Sequence, residues 1–416
     1  MKTLVPFYLW LGLAPLLAAA PQAGEKLPPD VRRAFAPIAQ ELQRALLAKD
    51  ETALRAGTRR AVAVLGEWAG VPEAPVRYAK PIVRTPPPLT AVLDHWRLTE
   101  AEGRARVLWV TAPDADPKKI STGLRFAGEP LIAYARLALA PTTPAAERTH
   151  YTTQVRAGAD WLLRVQRPDG LFPFPDVRGR NAQFGPMVER LLATHPSAVA
   201  DGWIVDDLGG DLKYDNAICG VGLLEAWRLT RDSRYLDAAV RAARWAATRP
   251  IVPNYNYNAF SAWLLAECLL ATGDTTLIPP LTEHIFLGVL PGQMQNGRWF
   301  DQHNARLVYH AIIARGLLST WRALPPAHPR RAELRTALGL TLDALAGEIT
   351  SLGASSVSVP TEVLAEAIAI MGPAASPVWR EAADINANAA LSGGPGAAGL
   401  HFVNYVLLRQ AQAVAP

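Results

Sequence analysis

Asp215, Tyr257 and His303 can each give or take a proton, and they occupy equivalent places in an internal repeat. Each stands immediately before an Asn-Ala pair, Asn216-Ala217, Asn258-Ala259 or Asn304-Ala305, and each pair opens an apolar run. Loops that lead into helices carry a large share of catalytic and binding groups. If the helices that follow are arranged alike, the three side chains share one cleft. The asparagines themselves read as N-caps that accept from free amides of a first helical turn. Each of the three residues also has an ordinary explanation. Asp215 can oppose the positive end of a helix, Tyr257 can pack with its hydroxyl in water, and His303 can satisfy a loop carbonyl. Only their equivalence favours a shared site.

Carboxylates crowd around these positions. The stretch Asp201-Gly202-Trp203-Ile204-Val205-Asp206-Asp207-Leu208-Gly209-Gly210-Asp211 lies just upstream of Asp215. Neighbouring carboxylates raise one another's pKa, so one can stay protonated while another is ionised. Glycosidic cleavage uses such a pair, one carboxyl protonating the leaving oxygen and the other activating water or attacking carbon. On this reading Asp215 pairs with Asp207 or with Asp301, which belongs to a second cluster, Trp299-Phe300-Asp301-Gln302-His303, and is expected to oppose the first across the cleft. His303 and Tyr257 then bind hydroxyls. β-Elimination divides the same residues differently: Tyr257 and His303 move the protons, while Arg178 or Arg180 neutralises a uronate carboxylate. Hydrolysis is preferred because carboxylates outnumber the other candidates. The acidic stretch has two further readings, a solvated loop and a calcium site of carboxylates and carbonyls, although EF-hand spacing is absent. No other metal and no organic cofactor is expected.

A sugar also needs flat apolar surfaces with polar edges. Phe172, Phe174, Trp203, Tyr214, Tyr255, Tyr257 and Trp299 fall in loops or at helix starts, and Asn256 joins them as a polar contact. Tyr309 and His310 follow His303 on the next helix; one of them can share its side, though a core position is the commoner fate. These features fit a polysaccharide or oligosaccharide substrate.

The elements that must position these residues are almost all helical. Apolar spacing predicts helices near 31–49, 51–68, 127–140, 147–166, 216–230, 234–248, 258–271, 275–290, 304–323, 329–350, 360–371, 377–391 and 399–414, an all-α chain of about six antiparallel pairs. Between 71 and 126 the pattern lapses among Pro81, Pro86, Pro87 and Pro88, and this stretch reads as an irregular crossing segment. Residues 24–126 and the main helical body, 127–416, are expected to form one domain. Laid over 258–274, residues 216–232 match at Leu223, Glu225, Thr230 and Asp232 as well as at the Asn-Ala pair, and a period in the forties is that of one helical hairpin. Within the repeat, 259–271 is apolar nearly all round apart from Glu267, whereas 234–248 has one apolar and one charged face. Alternating buried and half-exposed helices imply two concentric layers closed into a ring; the alternative is an open solenoid.

At this point the chain resembles the six-hairpin, or (α/α)6 toroid, superfamily of glycoside hydrolases, polysaccharide lyases and sugar epimerases. The resemblance covers residues 125 to 390. It rests on the repeat and on two glycine-aromatic turns, Gln166-Arg167-Pro168-Asp169-Gly170-Leu171-Phe172 and Gln295-Asn296-Gly297-Arg298-Trp299-Phe300-Asp301. Such turns are also similar to the Gln-to-Trp motifs of squalene cyclases, a reading disfavoured by the absence of an aspartate-rich motif within an apolar cavity. The resemblance implies a site at one mouth of the ring, and a non-catalytic glycan-binding protein on the same ring is the reading outside enzymology.

Composition bounds the rest. Half of the 416 residues are apolar, enough for one large core or two ordinary ones. The net charge of +5 comes from dispersed arginines without a basic stripe, which argues against a nucleic-acid partner. Met1-Lys2 and the apolar run from Leu4 to Ala20 read as a signal peptide over residues 1–23, making the mature protein secreted or periplasmic and free of the membrane. Cys219 and Cys268 can be two buried thiols or one disulfide.

Overall fold

A computed structural model describes residues 22–74, 78–79, 81–206, 210–355, 359–393 and 399–414. The expected signal peptide therefore lies almost wholly outside the described residues. From the N-terminus the helices are α1 (Pro29–Leu47), α2 (Glu51–Leu65), α3 (Leu89–Arg104), the single turn α4 (Leu108–Thr111), α5 (Arg125–Leu139) and α6 (Ala145–Val165). They continue with α7 (Gly185–Thr194), α8 (Leu212–Thr230), α9 (Ser233–Thr248), α10 (Tyr255–Thr272) and α11 (Ile278–Phe286). The last five are α12 (Leu307–Ala323), α13 (Arg331–Leu352), α14 (Val359–Met371), α15 (Pro377–Ser392) and α16 (Val403–Val414).

The ring closes. α5 packs on α8, α8 on α10, α10 on α12, α12 on α14, α14 on α16, and α16 returns to α5. Outside them lie α6, α9, α11, α13, α15 and α3, each against its inner partner. The division follows from side-chain character. α10 is buried without a break from Asn258 to Leu269, whereas α9 buries Tyr235, Ala238, Ala239, Ala242 and Ala243 and leaves Arg234, Asp237, Arg241 and Arg244 in solvent. The architecture is a six-hairpin (α/α)6 toroid.

One outer helix was not legible as such. The stretch expected to be irregular contains α3, which lies against α16, so the sixth hairpin joins the two ends of the chain. The prolines that suggested a lapse stop at Pro88, the cap residue, and Val92, Trp96 and Thr99 then form a buried stripe. The α1–α2 hairpin stands outside the ring: Ile38, Ala61 and Leu65 pack with Phe300, and Leu46 and Leu54 with Ile251.

The repeat now has physical content. Thr230 and Thr272 hydroxyls accept from the Asp232 and Asp274 amides, and those aspartates accept from Arg234 N and Thr276 N at the start of the next segment. Between them Arg231 and Gly273 take left-handed conformations that turn the chain back. Asn216, Asn258 and Asn304 are not N-caps. α8 and α10 begin several residues before their asparagines, so those side chains point into the protein interior. Asn216 accepts from Phe172 N and donates to Ala242 O; Asn258 accepts from Val252 N and donates to Gly288 O. Asn216 thereby ties the turn at Phe172 to α9, and Asn258 ties the segment before α10 to the one after α11. Cys219 and Cys268 are both free and buried.

Both glycine-aromatic turns are staples between hairpins. Gln166 Nε2 donates to Gly170 O and to Ala238 O of α9, while Gln293 Nε2 donates to Gly297 O and to Ala337 O of α13. The glutamine equivalent to Gln166 is therefore Gln293, not Gln295. Gly170 and Gly297 have φ of 97° and 82°, and a Cβ on either would lie 2.2 or 2.1 Å from a carbonyl oxygen of the neighbouring outer helix. Gly297→Ala is expected to cost about 2 kcal/mol or more in denaturant unfolding, from the unfavourable φ together with the clash. A cost near zero would mean that the turn is not held against α13.

The end of the ring at the C-termini of the inner helices is occupied by paired charges. Arg136 meets Glu225 at 3.0 Å, Arg228 bridges Glu225 and Glu267 at 3.1 and 2.9 Å, and Arg322 meets Glu267 at 3.0 Å. Glu225 and Glu267 are repeat equivalents. Burial alone would raise the Glu267 pKa, but Arg322 and Arg228 outweigh it and hold the carboxyl below its ordinary value.

Candidate functional site

The opposite mouth, at the N-terminal ends of the inner helices, is open and chemically furnished. α5 contributes Arg125 and Glu129, α8 Tyr214 with Asp211 just ahead of it, α10 Tyr257, α12 Tyr309, α14 Val359, and His401 precedes α16. The cleft has two chambers, about 230 and about 680 Å³, which share Arg125, Phe184 and Tyr214.

Arg125 is the anchor of this mouth. Asp215 is fully buried, and its carboxylate accepts from Arg125 N at 2.7 Å, Nε at 2.9 Å and Nη2 at 2.9 Å. Asp215 thus spends its acceptor capacity on orienting a cation and does not itself face the cleft as an acid. The guanidinium lies 3.7 Å from the Tyr214 ring centroid, and Tyr214 in turn stacks on Phe260 at 4.1 Å. The Tyr257 hydroxyl donates to Asp211 Oδ1, and both line the smaller chamber together with Asp206. Burial, followed by the Asp211 charge, pushes the Tyr257 phenol well above its ordinary pKa. It therefore stays protonated at neutral pH and remains a donor to the Asp211 side chain.

His303 sits on the rim, its Nδ1 2.7 Å from Glu73 Oε1 and its ring stacked 4.5 Å from Tyr309. α12 starts at Leu307, so the residue before Asn304 lies outside the helix instead of in its first turns. Asp207 lies outside the described residues. Asp301 does not oppose the acidic loop. One of its oxygens accepts from Asn304 N and Nδ2, both at 2.9 Å, and the residue lines a different, apolar cavity beside the α1–α2 hairpin, together with Tyr255. Burial pushes its carboxyl up.

Several expected sugar contacts are structural instead. Phe172 and Trp299 are fully buried, Trp299 donating to Val289 O and packing edge-on against His310. His310 is itself buried, with Nε2 2.9 Å from Thr341 O, and burial followed by the Arg298 charge pulls its pKa down to about 3. Asn256 is buried and bonded to Asn304 Oδ1 and to Asn254. Trp203 belongs to a short strand paired with Phe174–Pro175 and is 9% exposed. Arg178 closes on Asp176 at 2.7 Å, and Arg180 donates to the carbonyls of Pro117 and Ile120, so neither is a substrate clamp. Of the anticipated aromatics, Phe174, Tyr214 and Tyr257 line the smaller chamber.

A buried ionic chain at the ring axis was not anticipated. His401 meets Glu362 at 2.8 Å and Glu129 at 3.4 Å, and Glu362 meets Arg315 at 2.9 Å. Burial alone would lower the His401 pKa, but Glu129 and Glu362 push it up to about 10. For Glu362, burial acts upward and is outweighed by Arg315 and His401, which pull it down to about 2. A raised folded-state pKa stabilises fully below the unfolded value, so the His401 contribution is complete below pH 6.5 and fades as pH rises toward about 10. The Glu362 contribution is complete above pH 4.5 and is lost as pH falls toward about 2. Unfolding midpoints are expected to decline through the alkaline range in the native chain and to lose that slope in His401→Gln. Among the described residues no group of three His, Cys, Asp or Glu is placed to hold a metal ion, and no helix is long and apolar enough to cross a membrane.

No family model and no curated protein matches the chain. Solved structures do. A glycosyl hydrolase family 88 protein from Bacteroides vulgatus matches at 12% identity, over 78% of this chain and 99% of the other, with a TM-score of 0.46. An unsaturated glucuronyl hydrolase from Bacillus sp. GL1 matches at 14% identity over 92% and 97%, with a TM-score of 0.39. Likeness at this level assigns no residue a role, and the site stands on its own geometry.

Proposed function

We propose that the protein is a glycan-processing enzyme that hydrolyses glycosidic bonds of a polysaccharide or oligosaccharide held in the open mouth of the ring. The observation that carries this reading is the meeting of Asp211, Asp206, Tyr257, Tyr214 and Arg125 in one cavity at the starts of the inner helices. Asp211, aimed by the Tyr257 hydroxyl, is one carboxylate of the pair that glycosidic cleavage needs, and Asp206 is the other. Tyr214 offers a flat face, and Arg125 a guanidinium suited to sugar hydroxyls or a uronate carboxylate. Elimination is less well served, because its expected base, Tyr257, is held protonated and its expected clamps, Arg178 and Arg180, are engaged elsewhere. Export by the N-terminal apolar segment belongs to the same proposal and brings the enzyme to a polymeric substrate.

The test is incubation with neutral, uronate and unsaturated-uronate glycans, following new reducing ends and the absorbance of unsaturated sugars. New reducing ends without a gain in that absorbance, lost in Asp211→Asn, are the expected result. A gain in absorbance would establish elimination, and silence on every glycan would leave a binding protein.

A further inference from the structure

The α1–α2 hairpin has no place among the six hairpins of the ring, yet the chain leaving it reaches the rim of the mouth. Gly70 N donates to Phe300 O at 2.8 Å and Glu73 N to Gln302 O at 2.9 Å, so the segment after α2 is laid along the turn that leads into α12. This alignment brings the Glu73 carboxyl 2.7 Å from His303 Nδ1 and 3.6 Å from Arg306 Nη2. Both of those residues hold the same ring. His303 stacks on Tyr309 with centroids 4.5 Å and planes 26° apart, and the Arg306 guanidinium lies 4.1 Å from the Tyr309 centroid. Tyr309, in the first turn of α12, is half-buried and lines the smaller chamber together with Tyr257 and Asp211.

We infer that Tyr309 is a ligand-binding residue of the mouth, its hydroxyl meeting a sugar hydroxyl, and that Glu73 is the positioning residue that fixes it through His303 and Arg306. The sugar as ligand rests on the hydrolase reading of the mouth; the positioning does not. A ring pressed by an imidazole and a guanidinium is fixed without being enclosed, and a side chain ordered before binding spares the complex that entropy cost. The Tyr257 hydroxyl is already committed to Asp211, so Tyr309 supplies a phenol that can turn to a guest. The hairpin outside the ring thereby completes the site. It carries Glu73 to the rim without touching the ligand, and its packing against Phe300 holds the same turn from the other side.

Fluorine NMR of the full-length mature protein carrying 3-fluorotyrosine at position 309 reads the positioning without any ligand. The resonance is expected to be displaced from that of free fluorotyrosine by the His303 ring, to move toward the free position in Glu73→Ala, and to return most of the way in Glu73→Gln, which keeps an acceptor oxygen. The Glu73 side chain is 42% exposed, so both variants should fold, and thermal melting checks this. A resonance unchanged in folded Glu73→Ala overturns the inference. On the glycan that the screen finds cleaved, Tyr309→Phe is expected to raise KM about three- to tenfold, the loss of one hydrogen bond. Glu73→Ala is expected to raise it about two- to fivefold, the range for an exposed ion pair, with a smaller change in kcat. Added to Tyr309→Phe, Glu73→Ala should bring no further rise, because its effect passes through that hydroxyl. Additive effects, or an unchanged KM in Tyr309→Phe, overturn the inference. A fluorine response with no glycan cleaved, or bound in calorimetric titration, would instead retain Glu73 as the positioning residue and reject the hydrolase reading together with the ligand role of Tyr309.

Discussion

Asp211→Asn is expected to lower turnover on the substrate found in the glycan screen by about 10²–10⁴-fold, the range for losing a positioned proton-transfer group, with no fall in melting temperature. Asp211 is exposed and accepts a hydrogen bond from the Tyr257 hydroxyl. An asparagine oxygen can still accept that bond, so the shape of the mouth survives while the proton chemistry does not. Tyr257→Phe separates aiming from chemistry. It removes a hydrogen bond to a charged acceptor, worth about 1.5–3 kcal/mol, and is expected to lower turnover by about tenfold or more while leaving the carboxylate in place. Steady-state kinetics with melting curves on the same preparations checks both. Full activity in Asp211→Asn would move the chemistry to Asp206 or to the Glu129–His401 pair.

The ring was legible because its signal is repeated. Asn216 with Asn258, Glu225 with Glu267, and Thr230-Arg231-Asp232 with Thr272-Gly273-Asp274 each do similar mechanical work one hairpin apart. Function was harder to read, because the equivalence that marks the repeat does not extend to where each helix begins. α8 starts four residues before Asn216, α10 three before Asn258, and α12 three after Asn304. The preceding side chain is consequently buried at Asp215, faces the cleft at Tyr257 and lies on the rim at His303. Asp211 and Tyr214, one helical turn from Asp215 and next to it, take the places that Asp215 was expected to fill. Arg125, Glu129 and His401 carry no local pattern at all. Only ring closure brings residues near the beginning and the end of the chain to one axis, and a single sequence does not encode that as spacing. Trp299 and Phe172 misled for a related reason: aromatic residues in a tight turn served the staple between hairpins and not the ligand.

The Arg125–Asp215 pair gives the largest expected effect on stability. Removing one member of a buried pair leaves the other charged and uncompensated, which costs about 3–5 kcal/mol. Asp215→Ala is therefore expected to lower unfolding free energy by about that amount, since Asp215 is fully buried and accepts three hydrogen bonds from Arg125. It should also raise KM, because the guanidinium would no longer be held over Tyr214. The double replacement Arg125→Met with Asp215→Leu is expected to recover most of the stability, because a buried ion pair can often be exchanged for apolar side chains at little cost. It should not recover the KM. That separation distinguishes a positioning carboxylate from a catalytic one: if Asp215 were the acid, the loss in its Asn variant would appear in kcat with stability nearly unchanged. With Asp215 as the residue that holds Arg125, stability falls as KM rises, and kcat falls only as far as substrate is misplaced.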